Sequence, residues 1–161
     1  MLPGVTPFPP EFAARYRARG YWEDRTIASV WEDYCRLYAD RVAVIDGDIA
    51  VSYAELNARA TNLALNLLDL GIKPLDRLVI QLPNRIQFVY LYLALQKIGA
   101  IPVMALPAHR YLEISQFVGI AGAIGCVSNP AVVVAVVEGL KSAGVRPRER
   151  ETSPEEEPAP C

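Results

Sequence analysis

The sequence predicts an α/β fold, with a mostly parallel sheet and helices on both of its faces. From residue 42 onward, short apolar runs alternate with segments of helical periodicity in the order β-β-α-β-α-β-α-β-α. Strands alternating with helices are joined by right-handed crossovers, which makes a three-layer arrangement the expected one. The composition agrees, because 52% hydrophobic and 21% charged residues is the balance of a globular domain with a core.

The stretch Ala94–Arg110 shows this pattern most clearly. Apolar residues at helical spacing run up to Ile98, and Gly99 is the expected left-handed helix stop. Ile101–Leu106 is a short apolar run, which predicts a strand covered on both faces. A helix that leads into such a strand is half of a β-α-β unit.

Two short helices are predicted before the sheet, in an N-terminal segment of residues 1–41. The first covers Pro9–Arg19, and the second begins after the N-cap residue Thr26. Tyr21 and Trp22 lie between them and are expected to pack against the main body.

A β-hairpin is predicted over residues 42–51, because Asp46-Gly47 is a tight-turn pair between two apolar runs. Ser52 and Glu55 then have the spacing of a capping box, which predicts a helix start. The inward-facing residues of that helix are expected to be Leu56, Ala60, Leu63, Leu67 and Leu70.

The region 42–145 is predicted to form the α/β unit. Its remaining elements are expected at residues 78–82 (strand), 85–98 (helix), 111–120 (helix), 124–127 (strand) and 131–143 (helix). The last segment, 146–161, is rich in proline and glutamate and is expected to be a disordered tail.

Composition also excludes several classes of function. A net charge of -2 provides no basic surface for nucleic acid. With three widely spaced cysteines and one histidine, a zinc site is not expected. The cysteines are instead expected to be free thiols without a function, as is typical of proteins in a reducing cytoplasm. The uncharged stretch Phe117–Val137 is as long as a membrane span, but Ser128-Asn129-Pro130 interrupts it. A strand, a turn and a helix are therefore expected there instead of a membrane span. The chain is not expected to associate with a membrane.

The common nucleotide-binding and hydrolase motifs are missing. The sequence contains no G-x-x-x-x-G-K-[ST] phosphate loop and no G-x-S-x-G elbow. The nearest approach to a dinucleotide fingerprint is Gly119, Gly122 and Gly125, whose spacing is wrong. Close packing is the simpler interpretation of these glycines.

His109 is the candidate site residue, because it is the only imidazole and lies in a loop after a strand. Such loops line the ligand crevice of open α/β sheets. A surface or structural histidine is the alternative. Glu113 or Asp76 is a possible orienting partner. Phe88 has two interpretations, stacking on a ligand ring or packing in the core.

Three segments in order resemble the superfamily of adenylate-forming ligases. V-S-Y-A-E-L (51–56) and A-L-Q-K-I-G-A-I-P-V-M-A-L (94–106) are similar to its first two core motifs, and R-L-V-I-Q-L-P-N (77–84) is similar to the strand between them. Within the superfamily, residues 7–22 and A-L-P-A-H-R (105–110) resemble the aryl-acid branch, the 2,3-dihydroxybenzoate–AMP ligases of siderophore biosynthesis. The resemblance extends to about Val127.

This resemblance implies a fold, a reaction and a set of partners. The fold is the N-terminal portion of the ligase, and the reaction is activation of an aryl acid by ATP and Mg²⁺, with transfer of the acyl group to the thiol of an aryl carrier protein. The phosphate loop, the aryl-acid pocket and the catalytic lysine have no counterpart here, so no catalytic, cofactor-binding or metal-binding residue is assigned. The chain alone is expected to be inactive and not to bind ATP tightly.

Two expectations concern the short length of the chain. Truncation, a frameshift or a misread gene end would explain why the amino-acid sequence departs from the family pattern after Val127. The predicted helix 131–143 is apolar all round, so the isolated chain is expected to self-associate. The alternative to a ligase fragment is a non-catalytic α/β interaction module.

Overall fold

A three-stranded parallel sheet lies at the centre of residues 6–128, the part of the chain that the computed structural model describes. The helices and strands are α1 (Pro10–Ala18), α2 (Ile27–Leu37), β1 (Val42–Asp46), β2 (Ile49–Ser52), α3 (Tyr53–Asp69), β3 (Arg77–Gln81), α4 (Ile86–Ile98), β4 (Ile101–Met104), α5 (Tyr111–Ala121) and β5 (Gly125–Ser128). The predicted order of elements from residue 42 is confirmed as far as β5.

The strand order of this sheet is β4-β3-β5, with all strands parallel. Ile80 of β3 lies opposite Met104 of β4, and Gln81 lies opposite Ser128 of β5. Because β3 is central, its carboxyl end lies between the carboxyl ends of both neighbours. The loops that leave the three strands therefore start from one edge of the sheet.

Helices cover both faces of the sheet, which confirms the three-layer prediction. On one side, called the α4 face, α3 and α4 pack against Leu78 and Ile80 of β3. On the other side, called the α5 face, α5 packs against Val79. The buried residues of the α4 face are Ala64, Leu67, Ile72, Leu78, Ile80, Leu91, Ala94, Leu95, Ile98 and Ala100. Those of the α5 face are Val79, Ala105, Ile114, Val118 and Ala123.

The hairpin forms a separate antiparallel sheet of β1 and β2 and packs against α3 and α4. It leads directly into α3, whose first turn has the predicted capping box. The Ser52 hydroxyl accepts a hydrogen bond from the Glu55 backbone N–H at 3.2 Å, and the Glu55 carboxylate accepts one from the Ser52 backbone N–H at 3.0 Å. The end of α4 is also as predicted, since Gly99 is left-handed with φ of 72°.

The strand predicted over residues 101–106 is shorter than expected. β4 ends at Met104, because the carbonyl groups of the next residues turn toward a side chain of β3 instead of continuing the ladder. The predicted burial on both faces is also wrong, because Ile101, Pro102 and Val103 are only half-buried and Met104 is 47% exposed.

Two predictions about apolar side chains are wrong as well. Leu70 was expected to face inward, but it follows the last turn of α3 and is 56% exposed. Tyr21 is largely exposed, and Trp22 packs within the N-terminal segment, with its ring 4.8 Å from that of Phe8 and 5.5 Å from that of Tyr16. The aromatic rings of the N-terminal segment thus pack on each other instead of on the main body.

Some predictions fall outside the described residues. They include the helix 131–143, the tail 146–161 and the second half of the uncharged stretch 117–137. Within residues 6–128, none of the helices has the length and apolar character needed to cross a bilayer. The segment boundaries at residues 41 and 145 stay predictions.

Candidate functional site

The candidate site lies at the carboxyl edge of the central sheet, where the loops after β3 and β4 meet the end of β5. The loop after β4, residues 105–110, is called the crevice loop. Parallel sheets bind their ligands at this edge because the loops there are free to vary while the strands hold them in place.

Gln81, at the end of β3, connects these segments. Its side-chain amide nitrogen donates to the carbonyl oxygens of His109 (2.7 Å), Leu106 (3.1 Å) and Pro107 (3.4 Å). Its amide oxygen accepts from the Ser128 hydroxyl at 3.1 Å. Gln81 is 2% exposed and is the one buried polar side chain within residues 6–128. A buried amide is stable only with such partners, so its bonds fix the crevice loop to the sheet.

His109, the residue singled out from sequence, does lie in the crevice loop. Its Nδ1 atom accepts a hydrogen bond from the Leu106 backbone N–H at 3.0 Å, which places the proton of the neutral ring on Nε2. The ring meets Phe117 of α5 edge-to-face, with 5.1 Å between centroids. These contacts close the loop on itself and seat it on α5. They are the contacts of a structural histidine.

Neither expected orienting partner makes a hydrogen bond to His109 in the described part of the chain. The Glu113 carboxylate accepts from the Arg110 backbone N–H at 2.9 Å and so caps α5. Hydrogen bonds from its own backbone N–H and from that of Arg110 hold the pKa of Glu113 below its usual range. Asp76 precedes β3, at the opposite end of the sheet, and accepts from the Lys73 backbone N–H at 2.8 Å.

A second polar contact joins the hairpin to the start of α4. The Asp46 carboxylate accepts from the Ile86 backbone N–H at 3.0 Å and from Arg85 Nε at 2.9 Å. The Ile86 N–H and the Arg85 guanidinium lower the pKa of Asp46. Asp46 therefore caps a helix that begins 40 residues later in the chain.

A small open cavity of about 250 Å³ lies beside this contact. Its lining residues are Val44, Ile45, Asp46, Asn84, Arg85, Ile86, Phe88 and Val89. Phe88 stacks on Tyr92 with 6.3 Å between centroids and packs against the core of the α4 face. This arrangement favours the packing interpretation of Phe88, which is also one of the residues that line the cavity.

Sequence reasoning missed both Gln81 and Asp46 as organising residues. For Gln81 a signal was present, because a polar residue ends the apolar run Leu78–Ile80 of a buried strand. Asp46 was assigned only to a turn, since nothing in the sequence links it to Ile86.

The described residues do not fit a metal site. Within residues 6–128, no three His, Cys, Asp or Glu side chains come together in a cluster that would hold a metal ion. The carboxylates of Asp46 and Glu113 are already engaged as helix caps. No step of a reaction is therefore assigned to a metal held by this part of the chain.

Comparison with known proteins decides the family. Residues 31–158 match the family described as AMP-binding enzyme. The chain belongs to this family. The match continues past Val127, so the family signal in this AMP-binding chain extends further than its motifs indicated.

Two relatives of this AMP-binding chain bear out the aryl-acid branch. It is 47% identical over 131 residues to salicyl-AMP ligase / salicyl-S-ArCP synthetase of Mycobacterium tuberculosis, with 78% of this chain and 23% of the relative covered. It is 44% identical over 117 residues to 2,3-dihydroxybenzoate-AMP ligase of Bacillus subtilis, with 73% and 22% covered. The chain thus spans less than a quarter of the length of these relatives.

A solved structure agrees with the fold. The apo structure of Mycobacterium smegmatis MbtA superposes with a TM-score of 0.80 at 38% identity, covering 87% of this chain and 27% of that one. The predicted fold, the N-terminal portion of an adenylate-forming ligase, is confirmed.

Proposed function

We propose that this chain is the N-terminal part of an aryl-acid adenylating ligase of siderophore biosynthesis. The observation that carries the proposal is the 47% identity to a salicyl-AMP ligase over most of the chain. The structure supports it with a crevice loop that is fixed at the carboxyl edge of a parallel sheet, where such folds bind ligands.

In the proposed reaction, a carboxylate oxygen of the aryl acid attacks the α-phosphorus of ATP. A new phosphorus–oxygen bond forms and pyrophosphate leaves with the electrons of the broken bond. A carrier-protein thiol then displaces AMP from the acyl-adenylate. ATP, Mg²⁺ and an aryl carrier protein are thus the proposed cofactors and partner, and salicylate and 2,3-dihydroxybenzoate are the proposed acids. A cytoplasmic location stays a prediction.

The contribution of residues 6–128 is structural in this scheme. Acyl-adenylate formation needs the reactants to be held in line, because alignment removes much of the entropic barrier. Gln81 and His109 hold the crevice loop rigidly enough to serve as one wall of such a site. The groups that stabilise the phosphates are assigned to the part of the ligase that follows.

A chimera tests the proposal. Residues 6–128 would replace the matching region of the M. tuberculosis salicyl-AMP ligase, and ATP–pyrophosphate exchange would be measured with salicylate, 2,3-dihydroxybenzoate and benzoate. We expect salicylate-dependent exchange within about tenfold of the parent ligase, since the two crevice walls would be equivalent. A folded chimera without exchange would favour the interaction module instead. A second chimera with the substitution Gln116→Glu, an exposed position of α5, should show the same exchange as the first, because a change on this surface is not expected to affect the site.

The 161-residue chain alone is expected to show no exchange, because its sequence contains no phosphate loop. The same assay, run with purified chain and each acid, checks this. Robust exchange would show that the residues needed for catalysis lie within these 161 residues.

We also propose that the isolated chain self-associates. Several apolar side chains on and after α5 are exposed: Leu112, Ile120 and Ile124 are 65%, 88% and 51% exposed. Such a surface favours association. Size-exclusion chromatography with light scattering should show a mass that rises with concentration. A sharp monomer peak at every concentration would contradict this proposal.

A further inference from the structure

Gln81 has more bonding partners than a buried strand residue needs for packing. Its amide nitrogen has two protons, and three carbonyl oxygens of the crevice loop lie within 3.4 Å of it. Its amide oxygen is bonded to Ser128, so both ends of the amide are engaged. The carbonyls fix the orientation of the amide, and the amide in turn fixes the path of the crevice loop.

The loop has two internal hydrogen bonds between Leu106 and His109. The His109 backbone N–H donates to the Leu106 carbonyl oxygen at 3.0 Å, and the Leu106 backbone N–H donates to His109 Nδ1 at 3.0 Å. Both bonds form only when the chain reverses between these residues. The shortest Gln81 contact, at 2.7 Å, is to the carbonyl of the same His109. By contrast, the preceding Ala105 N–H bonds to the Ile80 carbonyl at 2.9 Å, as a continuation of the sheet.

We infer that Gln81 is a positioning residue, which sets the conformation of the crevice loop and thereby the place of Arg110 at the start of α5. Arg110 is exposed, and its backbone N–H donates to the Glu113 carboxylate at 2.9 Å. The use of this loop for a ligand rests on the proposed function. The positioning itself does not, so it can be tested without any activity.

The test compares amide hydrogen exchange in the full 161-residue chain and in its Gln81→Met variant. Methionine has similar length but neither donates nor accepts strongly, so the crevice loop loses its anchor while the core keeps its volume. We expect the Leu106 amide to exchange at least about tenfold faster in the variant, while the Ala105 amide changes less than about twofold. Tenfold corresponds to about 1.4 kcal/mol, the range of one hydrogen bond.

A spectroscopic signal gives a second readout. His109 is the sole histidine of the chain, so the nitrogen resonances of the imidazole are unambiguous. In the parent chain, Nδ1 should show the shift of a hydrogen-bonded acceptor, and in Gln81→Met it should move toward that of a solvent-exposed ring. Gln116→Glu is the matched control, since Gln116 is an exposed glutamine of α5, and it should change neither readout.

Each remaining outcome overturns the inference. Equal acceleration at Leu106 and Ala105 would mean that Gln81 contributes only to global stability. An unchanged Leu106 amide would mean that the loop keeps its conformation without Gln81. If Gln81→Met does not fold, Gln81→Leu provides the same comparison, because leucine is apolar and removes both the donor and the acceptor at this buried position. Failure of the chimera with these exchange results intact would refute the proposed function alone.

Discussion

Within residues 6–128, the α4 face and the α5 face of the central sheet are covered by different numbers of helices and held by different interactions. On the α4 face, α3 and α4 pack against each other and against the sheet, so the layer is closed by apolar side chains. On the α5 face, α5 is the one helix of this part of the chain that covers the sheet, and residues such as Leu112 and Ile120 are exposed.

Polar contacts fix the thinner face. Arg77, Val79 and Gln81 point to the same side of β3, since side chains alternate along a strand. Arg77 Nη1 donates to the Ala121 carbonyl, at the end of α5, at 2.7 Å. Gln81 holds the loop that leads into the start of α5. A helix with little apolar burial is here located by polar contacts at its two ends, and one of these contacts also fixes the crevice loop.

The largest effect is expected when one buried side chain on each face of the sheet is replaced by alanine. Leu95→Ala on the α4 face should lower the free energy of unfolding by about 3–5 kcal/mol, and Ile114→Ala on the α5 face by about 2–3 kcal/mol. Both side chains are at most 1% exposed. We expect the second cost to be smaller because, within residues 6–128, no second helix packs against α5, so that α5 can move into the cavity. Urea denaturation at several protein concentrations measures the free energy of unfolding of both variants. Equal losses would show that the two faces of the sheet do not differ in how they respond to a cavity.

The next effect concerns the Cys126 thiol, which packs against the core of the α5 face. Burial raises the pKa of Cys126 to about 11. The thiolate is the reactive form, so alkylation of Cys126 by iodoacetamide at pH 8 should be about 100-fold slower in the folded than in the unfolded chain. Peptide-level mass spectrometry separates it from the other cysteines.

The same shift has a consequence for stability. The raised pKa means that the unfolded chain releases this proton first as pH rises. The stability contribution of the neutral thiol is thus complete below the ordinary thiol pKa and is lost as pH rises toward about 11. Fast alkylation of Cys126 at pH 8, without unfolding, would show that the α5 face is more open than it appears in the structure.

A smaller effect is expected at the end of α4. Gly99→Ala should cost about 1–2 kcal/mol, because alanine is strained at φ of 72°. Space is not the reason, since an added Cβ would lie 3.5 Å from the Pro74 Cβ, an ordinary contact. Thermal melting checks this, and Gly99→Asn should recover part of the loss because asparagine tolerates this conformation better.

The smallest effect is a stabilisation on the α5 face. Gly119 lies within α5, and an added Cβ there would meet nothing within 4 Å. Gly119→Ala should therefore raise the free energy of unfolding by about 0.5–1 kcal/mol through helix propensity. A loss of stability at this position would show that the outer side of α5 is covered, for example by another copy of the chain.

Much of the fold was accessible from the sequence, because its signals are local. The capping box of Ser52 and Glu55 and the left-handed Gly99 depend on residues within a few positions of each other. The alternation of apolar runs predicted the parallel sheet for the same reason. Leu70 and Met104 were misplaced because their burial depends on where a neighbouring helix or strand ends.

Only part of the candidate site could be predicted from the sequence. His109 was found because it is a rare residue in a loop after a strand, but its partners were not the ones expected. Neither Glu113 nor Asp76 hydrogen-bonds to it within residues 6–128, since one caps its own helix and the other lies at the far end of the sheet.

The capping box of α3, the glycine stop of α4, the order of helices and strands and the polar residue at the end of β3 can all be read from local sequence. The role of that polar residue, Gln81, depends on contacts between distant segments. Gln81 meets His109 across 28 positions and Ser128 across 47, and Asp46 meets Ile86 across 40. The two bonds of Gln81 form only after the parallel strands align and bring their carboxyl ends together, and the Asp46 bond forms only after the hairpin packs against α4. No local preference of the chain encodes either contact.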